Sequence, residues 1–281
     1  MKKYHVLYNP LAGHGKERTG KDVLEVVYGV ENLLYTDMTE IFDYENFFAN
    51  IPLEDEVILC GGDGTLNHFI NKTQAFCIKH KIFYLGCGSG NDFLRDVEGT
   101  PDALVALNIY ISNLPSVMVK GTEYKFLNGV GFGIDGYCCE MGDKLRANTQ
   151  KPVNYAAIAI KGLLFHYKPT DATVVVDGKE YTFKKVWLAP TMNGKYYGGG
   201  MIPAPKQARD ADTVSVMIFY GTGKLKTLMI FPSLFKGEHV NHEKHVAVLS
   251  GKEITVRFSE PRSLQIDGET ILGVTEYTVR K

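Results

Sequence analysis

Three short stretches combine glycine with residues that can grip a phosphate or a cation. Asn9-Pro10-Leu11-Ala12-Gly13-His14-Gly15-Lys16 ends in a lysine, Gly61-Gly62-Asp63-Gly64-Thr65-Leu66-Asn67 encloses an aspartate, and Gly86-Cys87-Gly88-Ser89-Gly90-Asn91-Asp92 carries a hydroxyl and an amide. Glycine lets backbone N–H groups approach an anion with no Cβ in the way. A helix that starts directly after such a turn adds the positive end of its dipole. Lys16 supplies a mobile positive charge. Asp63, inside a loop otherwise suited to anions, makes sense with a divalent cation between it and phosphate oxygens. Each stretch alone has a bland reading: Gly-Gly-Asp-Gly as a turn, Asp92 as a helix cap. Neither the Rossmann nor the Walker glycine string is present.

The surrounding pattern places all three on one edge. Strand-like runs Tyr4–Tyr8, Leu33–Thr36, Val57–Cys60 and Ile82–Leu85 alternate with helix-like stretches at Asp22–Tyr28, about Ile41–Phe48, Phe69–Ile78 and Ala103–Ile111, the last opened by Pro101-Asp102. Short apolar strands alternating with helices predict a doubly wound, mostly parallel α/β sheet. Ligands of such sheets bind beyond the carboxyl ends of the strands. After about residue 115 strand signals follow one another: Thr173–Val176, Tyr181–Leu188, Val214–Tyr220, Val246–Leu249, Ile254–Phe258, Leu264–Ile266 and Tyr277–Val279, with one helix over about Val153–His166. That half predicts a β-rich second domain of sandwich type.

At 281 residues two domains are expected, and 44% hydrophobic with 22% charged residues is an ordinary globular composition. A net charge of −1 offers no global field for nucleic acid, so an anionic membrane would have to be met by a local basic patch. Five cysteines are an odd number without disulfide-framework spacing. The N-terminal run is too short for a secretory signal, and no apolar stretch reaches the roughly 18 residues that span a bilayer. The expectation is a cytoplasmic, reduced protein without a transmembrane anchor.

Gly61-Gly62-Asp63-Gly64-Thr65 resembles the hallmark of the diacylglycerol kinase catalytic-domain family, which includes bacterial lipid kinases and sphingosine kinases. Asn9-Pro10 with Ala12-Gly13 and Gly15-Lys16 resembles its first loop, and Gly88-Ser89-Gly90-Asn91-Asp92-Phe93 its Gly-Thr-Gly-Asn-Asp-Phe element. Further matches are Asn128–Asp135, Asn193 with Gly198–Gly200 and Pro203–Pro205, Gly237 with His239, and Asp267-Gly268-Glu269. The resemblance implies a nucleotide domain over 1–115 related to phosphofructokinase and NAD kinase, completed by a returning segment at about 270–281. It also implies a β-sandwich lipid-substrate domain over 116–269. It implies an ATP- and Mg2+-dependent lipid kinase of lipid metabolism and phospholipid biosynthesis, acting peripherally at a membrane, with diacylglycerol as the first expected acceptor. A sphingoid base, another glycerolipid, an NAD-like soluble acceptor or a non-catalytic sensor are the alternatives, and a homodimer stays open.

Nucleotide contacts carry over to Asn9, Pro10, Leu11, Ala12, Gly13, Thr36, Gly61, Gly62, Asp63, Gly64, Thr65, Leu66, Asn67 and Ser89, with Asn91 in the same element. The general base carries over to the 267–269 element, in which Glu269 is favoured as proton acceptor for its reach and Asp267 as the group that orients it. Two departures stand out. Gly86-Cys87-Gly88-Ser89 replaces the family's usual Pro-Leu-Gly-Thr, keeping the hydroxyl. The structural magnesium loop of bacterial members aligns with Arg209-Asp210-Ala211-Asp212-Thr213, which leaves Asp210 and Asp212 as its only candidate ligands. Among the weaker signals, His239, His242 and His245 read as a solvated loop before a metal site, and Cys138-Cys139 as packing. Lys224–Lys236, with six large apolar residues among three lysines, reads equally as an amphipathic packing element or a membrane-facing one.

Overall fold

Alternation of apolar runs with amphipathic stretches makes the first part of the chain a layered α/β unit. The computed structural model describes residues 2–10, 20–88, 90–97, 99–100, 103–148 and 153–281. The chain divides into two compact units, residues 1–114 and 115–281.

The first unit runs β1 (Tyr4–Tyr8), α1 (Lys21–Tyr28), β2 (Leu33–Asp37), α2 (Tyr44–Ala49), β3 (Glu56–Gly61), α3 (Asp63–Thr73), β4 (Lys81–Gly86), α4 (Asp92–Asp96), β5 (Leu104–Ala106) and α5 (Asn108–Ile111). Its sheet has the order β2-β1-β3-β4-β5, parallel except for β5. Strand β3 is buried along its whole length, as a strand covered on both faces must be. The strand order reverses between β1 and β3, the place where doubly wound sheets bind ligands. Residues 103–111, read as one helix, instead form β5 and the single turn α5. The alternation of Leu104-Val105-Ala106 suits an edge strand paired to Leu85, Tyr84 and Phe83. Asn108 then fixes the corner, accepting from Ile82 N at 2.8 Å and donating to His80 O at 2.9 Å. Pro101 and Asp102 lie outside the described residues.

The second unit runs β6 (Ser116–Val119), β7 (Thr122–Lys125), β8 (Gly129–Phe132), α6 (Ile134–Asn148), α7 (Tyr155–Lys161), β9 (Thr170–Val176), β10 (Lys179–Leu188), β11 (Thr191–Met192), β12 (Val214–Tyr220), α8 (Lys224–Ile230), β13 (Val246–Gly251), β14 (Glu253–Ile266) and β15 (Glu269–Arg280). The separate strand signals at 254–258 and 264–266 are one 14-residue strand, β14. Irregular register near Arg262 lets it bend. Its first half pairs with β9 and its second half with β8. The ladder β14-β8-β11-β12-β10-β9 therefore closes on itself, where the sequence reading expects two open sheets. Val130, Phe132, Val174, Val216, Ile218, Val256 and Leu264 fill this core. Strand β15 pairs with β14 and β6 and buries Val274, Tyr277 and Val279. The segment 270–281, expected to complete the first domain, thus groups with the second unit. Helix α6 has no counterpart in the sequence reading, because its glycines and polar residues give it only a weak apolar stripe.

Candidate active site

In the first unit the carboxyl ends of β1 to β4 bring Asn9, Thr36, Gly61 and Gly86 to one edge, since Leu7 pairs with Thr36, Tyr8 with Cys60, and Gly61 with Gly86. The two glycine turns after β3 and β4 touch backbone to backbone. Cys87 N donates to Gly61 O at 2.8 Å, and a Cβ on Gly88 would stand 2.6 Å from the Gly62 Cα. Tyr84 Oη donates to Gly61 O at 2.9 Å and braces the turn from below. A Cβ on Gly61 would collide with the Thr65 side chain. The start of α3 is thus built on glycine backbone, and among the described residues no side-chain cap closes it.

Asp63 stands in the first turn of α3, yet its carboxylate serves α4: Oδ1 accepts from Phe93 N at 3.0 Å and Oδ2 from Asp92 N at 3.1 Å. The N-cap residue of α4 is Asn91, which sits at φ 50° and makes no side-chain cap, so Asp63 takes the cap's place from 28 residues away in sequence. Asp92, read as a cap, is instead a buried first-turn residue. Leu66 is fully buried, so its side chain serves the core. Asn67 is buried and held by Asn71 Nδ2, which donates to its O and Oδ1 at 3.0 and 3.3 Å. Asn9 and Thr36 are half-buried, Pro10 and Gly64 exposed. Leu11, Ala12, Gly13, Lys16 and Ser89 lie outside the described residues. An acidic Asp63 beside a cradle that any Cβ would fill fits a nucleotide that arrives with a divalent cation.

In the second unit Asp267-Gly268 forms the β14–β15 turn, both residues at positive φ as a type I′ hairpin requires. Asp267 does more than close this turn. Its carboxylate accepts backbone N–H groups from Leu127 at 2.5 Å, Asn128 at 2.8 Å and Gly129 at 2.9 Å, and its own N–H returns to Gly129 O at 3.0 Å. Gly268 N donates to Gln265 Oε1 at 2.7 Å. Glu269 is exposed at the first position of β15.

The 127–129 loop is gripped from its other side by cations. Arg209 donates to Leu127 O at 2.7 Å and to Asn128 Oδ1 at 2.5 Å, and Asn193 Nδ2 also reaches Leu127 O at 2.9 Å. Lys281 Nζ binds Asn193 Oδ1 at 3.0 Å, and burial together with the neighbouring Arg209 holds its ammonium pKa below the usual range. Asp210 and Asp212 are exposed, and among the described residues no three His, Cys, Asp or Glu side chains group as a metal site. A guanidinium flanking two solvent-facing carboxylates is a poor donor set for a cation, so a structural magnesium at 210–212 does not fit these residues. His239 is likewise no ligand: it is buried, with Nε2 against Pro203 O at 2.9 Å, and burial lowers its pKa. It therefore differs from the solvated histidine expected, whereas His242 is exposed. Burial pushes the Cys138 thiol up to about 12, as packing demands.

Asp135, at the start of α6, is buried against Gln265 and Tyr197, and desolvation raises its pKa to about 7. It accepts from Gly136 N at 2.9 Å, and a methyl group on Gly131 would sit inside its carboxylate.

Residues 3–119 match the diacylglycerol kinase catalytic domain, and residues 128–279 match the YegS C-terminal NAD kinase beta sandwich-like domain. The chain belongs to the bacterial lipid kinase family that these two domains define. Within that family it is similar to a diacylglycerol kinase of Bacillus subtilis (strain 168), 24% identical over 96% of this chain and 90% of the relative. It is also similar to a diacylglycerol kinase of Mycobacterium tuberculosis (strain ATCC 25618 / H37Rv), 25% identical over 85% and 80%. The fold matches a crystal structure of a diacylglycerol kinase from Bacillus anthracis str. Sterne with a TM-score of 0.62 at 19% identity, covering 100% of this chain and 94% of that one. The lipid kinase family's motif residues Asn128 and Asn193 prove to be the scaffold of the Asp267 loop. The roles of Arg209 and Lys281 carry no local signal in the sequence, because their partners lie 72 to 88 residues away.

Proposed function

We propose that this lipid kinase transfers the γ-phosphoryl group of ATP to a lipid hydroxyl at a membrane surface, with diacylglycerol as acceptor and phosphatidic acid as product. The observation that carries the nucleotide half is the close backbone contact of the two glycine turns after β3 and β4, at the uncapped start of α3. The names of the relatives support the acceptor. Backbone N–H groups of Gly62 through Thr65 bind phosphate oxygens at the positive end of α3. Asp63 would hold the Mg2+ that accompanies the nucleotide and neutralises phosphate charge. The acceptor hydroxyl loses its proton to the 267–269 hairpin. Asp267 is tied to three N–H groups and fixes the hairpin, while Glu269 is exposed and has the reach to take the proton.

The test is transfer of radiolabelled γ-phosphate to diacylglycerol, sphingosine and NAD, with the lipids in mixed micelles. Labelled phosphatidic acid as the dominant product supports the reading, and label on NAD alone overturns it. The NAD arm is included because residues 128–279 match a domain described as NAD kinase-like. In the same assay Glu269→Gln loses roughly 10²-fold in turnover while still binding ATP. A loss confined to Asp267→Asn, at equal foldedness, reverses the two roles.

A further inference from the structure

The loop that enters β12 is closed by one buried side chain. Gln207 is 3% exposed, although Asp210 and Asp212 just after it are exposed. Its amide nitrogen donates to Ala208 O at 2.8 Å and to Thr213 O at 2.9 Å. Carbonyl oxygens only accept, so both N–H groups of the carboxamide are spent on these two. Its Oε1 accepts from Ser215 Oγ at 2.6 Å, and that hydroxyl lies 2.8 Å from Ser250 Oγ, which is then the donor of the second pair. This chain of donors fixes which end of the amide faces the loop. Arg209 O, between the two bridged carbonyls in sequence, is met by Lys281 Nζ at 3.5 Å.

This is also the stretch that aligns with the structural magnesium loop of bacterial family members. Backbone carbonyl oxygens that converge on one point, with carboxylates nearby, are a donor set that a hard divalent cation takes up. Here a neutral NH2 group stands at the point of convergence. It joins the two ends of the loop as a cation would, and it leaves no charge for Asp210 and Asp212 to neutralise.

The clamp matters because of what the loop carries. Arg209 stands inside it and reaches Leu127 O and Asn128 Oδ1, on the segment whose N–H groups hold Asp267. Gln207 therefore acts on the 267–269 hairpin through Arg209, as a positioning residue.

We propose that the Gln207 carboxamide takes the place of a structural divalent cation in this loop, so that the loop and the hairpin it supports need no metal of their own. The cation that arrives with the nucleotide is then the only one the reaction requires. That consequence rests on the lipid kinase reading, whereas the clamp itself rests on the hydrogen bonds.

The experiment measures the melting temperature of the full chain and of Gln207→Met and Gln207→Glu without nucleotide. Each is melted in excess chelator and in millimolar Mg2+ or Ca2+, with potassium chloride matching the ionic strength. The wild type is expected to melt at one temperature throughout. Gln207→Met keeps the bulk but strips both donors, and should melt at least about 2–4 °C lower with no response to either cation. Gln207→Glu turns acceptor oxygens toward two carbonyls. It should melt lower still in chelator and recover part of the loss when a cation enters between them. In the γ-phosphate assay Gln207→Met should lose turnover roughly tenfold with the KM for ATP unchanged, because it misplaces the hairpin and leaves the nucleotide loops alone. Free Mg2+ added at constant Mg-ATP should leave wild-type turnover unchanged and raise that of Gln207→Glu. A wild-type melting temperature that chelator lowers and Mg2+ restores overturns the proposal. So does a methionine variant as stable as the wild type, or a glutamate variant indifferent to both cations. Should the glutamate variant not fold, the wild type and the methionine variant still decide. Absence of turnover on any acceptor by the wild type, with the melting behaviour as expected, overturns the lipid kinase reading and leaves the clamp standing.

Discussion

Two aspartates illustrate how one side chain can hold a site together. Asp63 caps α4 with both oxygens. Asp63→Asn keeps one acceptor and turns an amide donor toward the other N–H, so about 0.5–2 kcal/mol of stability should be lost, as for other lost caps. Phosphoryl transfer should fall nearly to background. Chemical denaturation and the γ-phosphate assay on the same sample measure the two effects, and wild-type turnover would remove Asp63 from the mechanism. Asp267 is bound more tightly still, by three N–H groups. On its far side Arg209 performs what a cation would. Arg209→Met should cost about 1–3 kcal/mol by removing the guanidinium's bonds to Leu127 O and Asn128 Oδ1. Millimolar Mg2+ without nucleotide should not raise the melting temperature of the wild type. A Mg2+-dependent rise that Asp210→Asn/Asp212→Asn abolishes would restore the structural metal. The sequence pattern marked Asp63 and Asp267 as important, but not what they hold, because their donors belong to other loops.

At the scale of elements, α6 begins on the carboxyl group of Asp135, whose pKa burial raises. Its ordinary pKa is 3.8 and the folded value is raised to about 7. A raised carboxyl pKa means that the folded chain binds the extra proton, so this contribution is fully present below about pH 4 and is lost as pH rises through 7. The span corresponds to on the order of 4 kcal/mol as an upper bound. Denaturation midpoints measured from pH 5 to 8 should fall for the wild type, and Asp135→Asn should flatten that decline. A wild-type profile that rises with pH, with the difference between the two proteins unchanged across the range, would show that Asp135 is ionised when folded. Helix α6 is not legible in the sequence because, after Ile134, it buries Asp135, Gly136, Cys138 and Gly142 in place of large apolar residues. The short strand β5 is not legible either, because three residues cannot display a period. The α/β alternation of the first unit was legible because its strands are continuous apolar runs bounded by glycine turns.

For the whole molecule, the proposed substrate lives in a bilayer while the chain among its described residues has no helix that spans one. Activity should therefore follow the mole fraction of diacylglycerol in a mixed micelle at fixed bulk concentration, and rise when anionic lipid is added. Rates that track only the bulk concentration, with fast turnover of a water-soluble alcohol, would favour the soluble acceptor.

The sequence by itself determined the family, the parallel α/β character of the first half, the β-rich second half and the glycine turns. Each of these is written in local spacing: glycine where backbone must be bare, and apolar periods where strands must be buried. Only the tertiary structure decided the rest. Asp267 meets the 127–129 loop across 138 to 140 residues, Arg209 reaches that loop across 81 or 82, and β14 closes the ladder by bending between two partners. Such contacts depend on which segments the packed core brings side by side, and local periodicity carries no information about that.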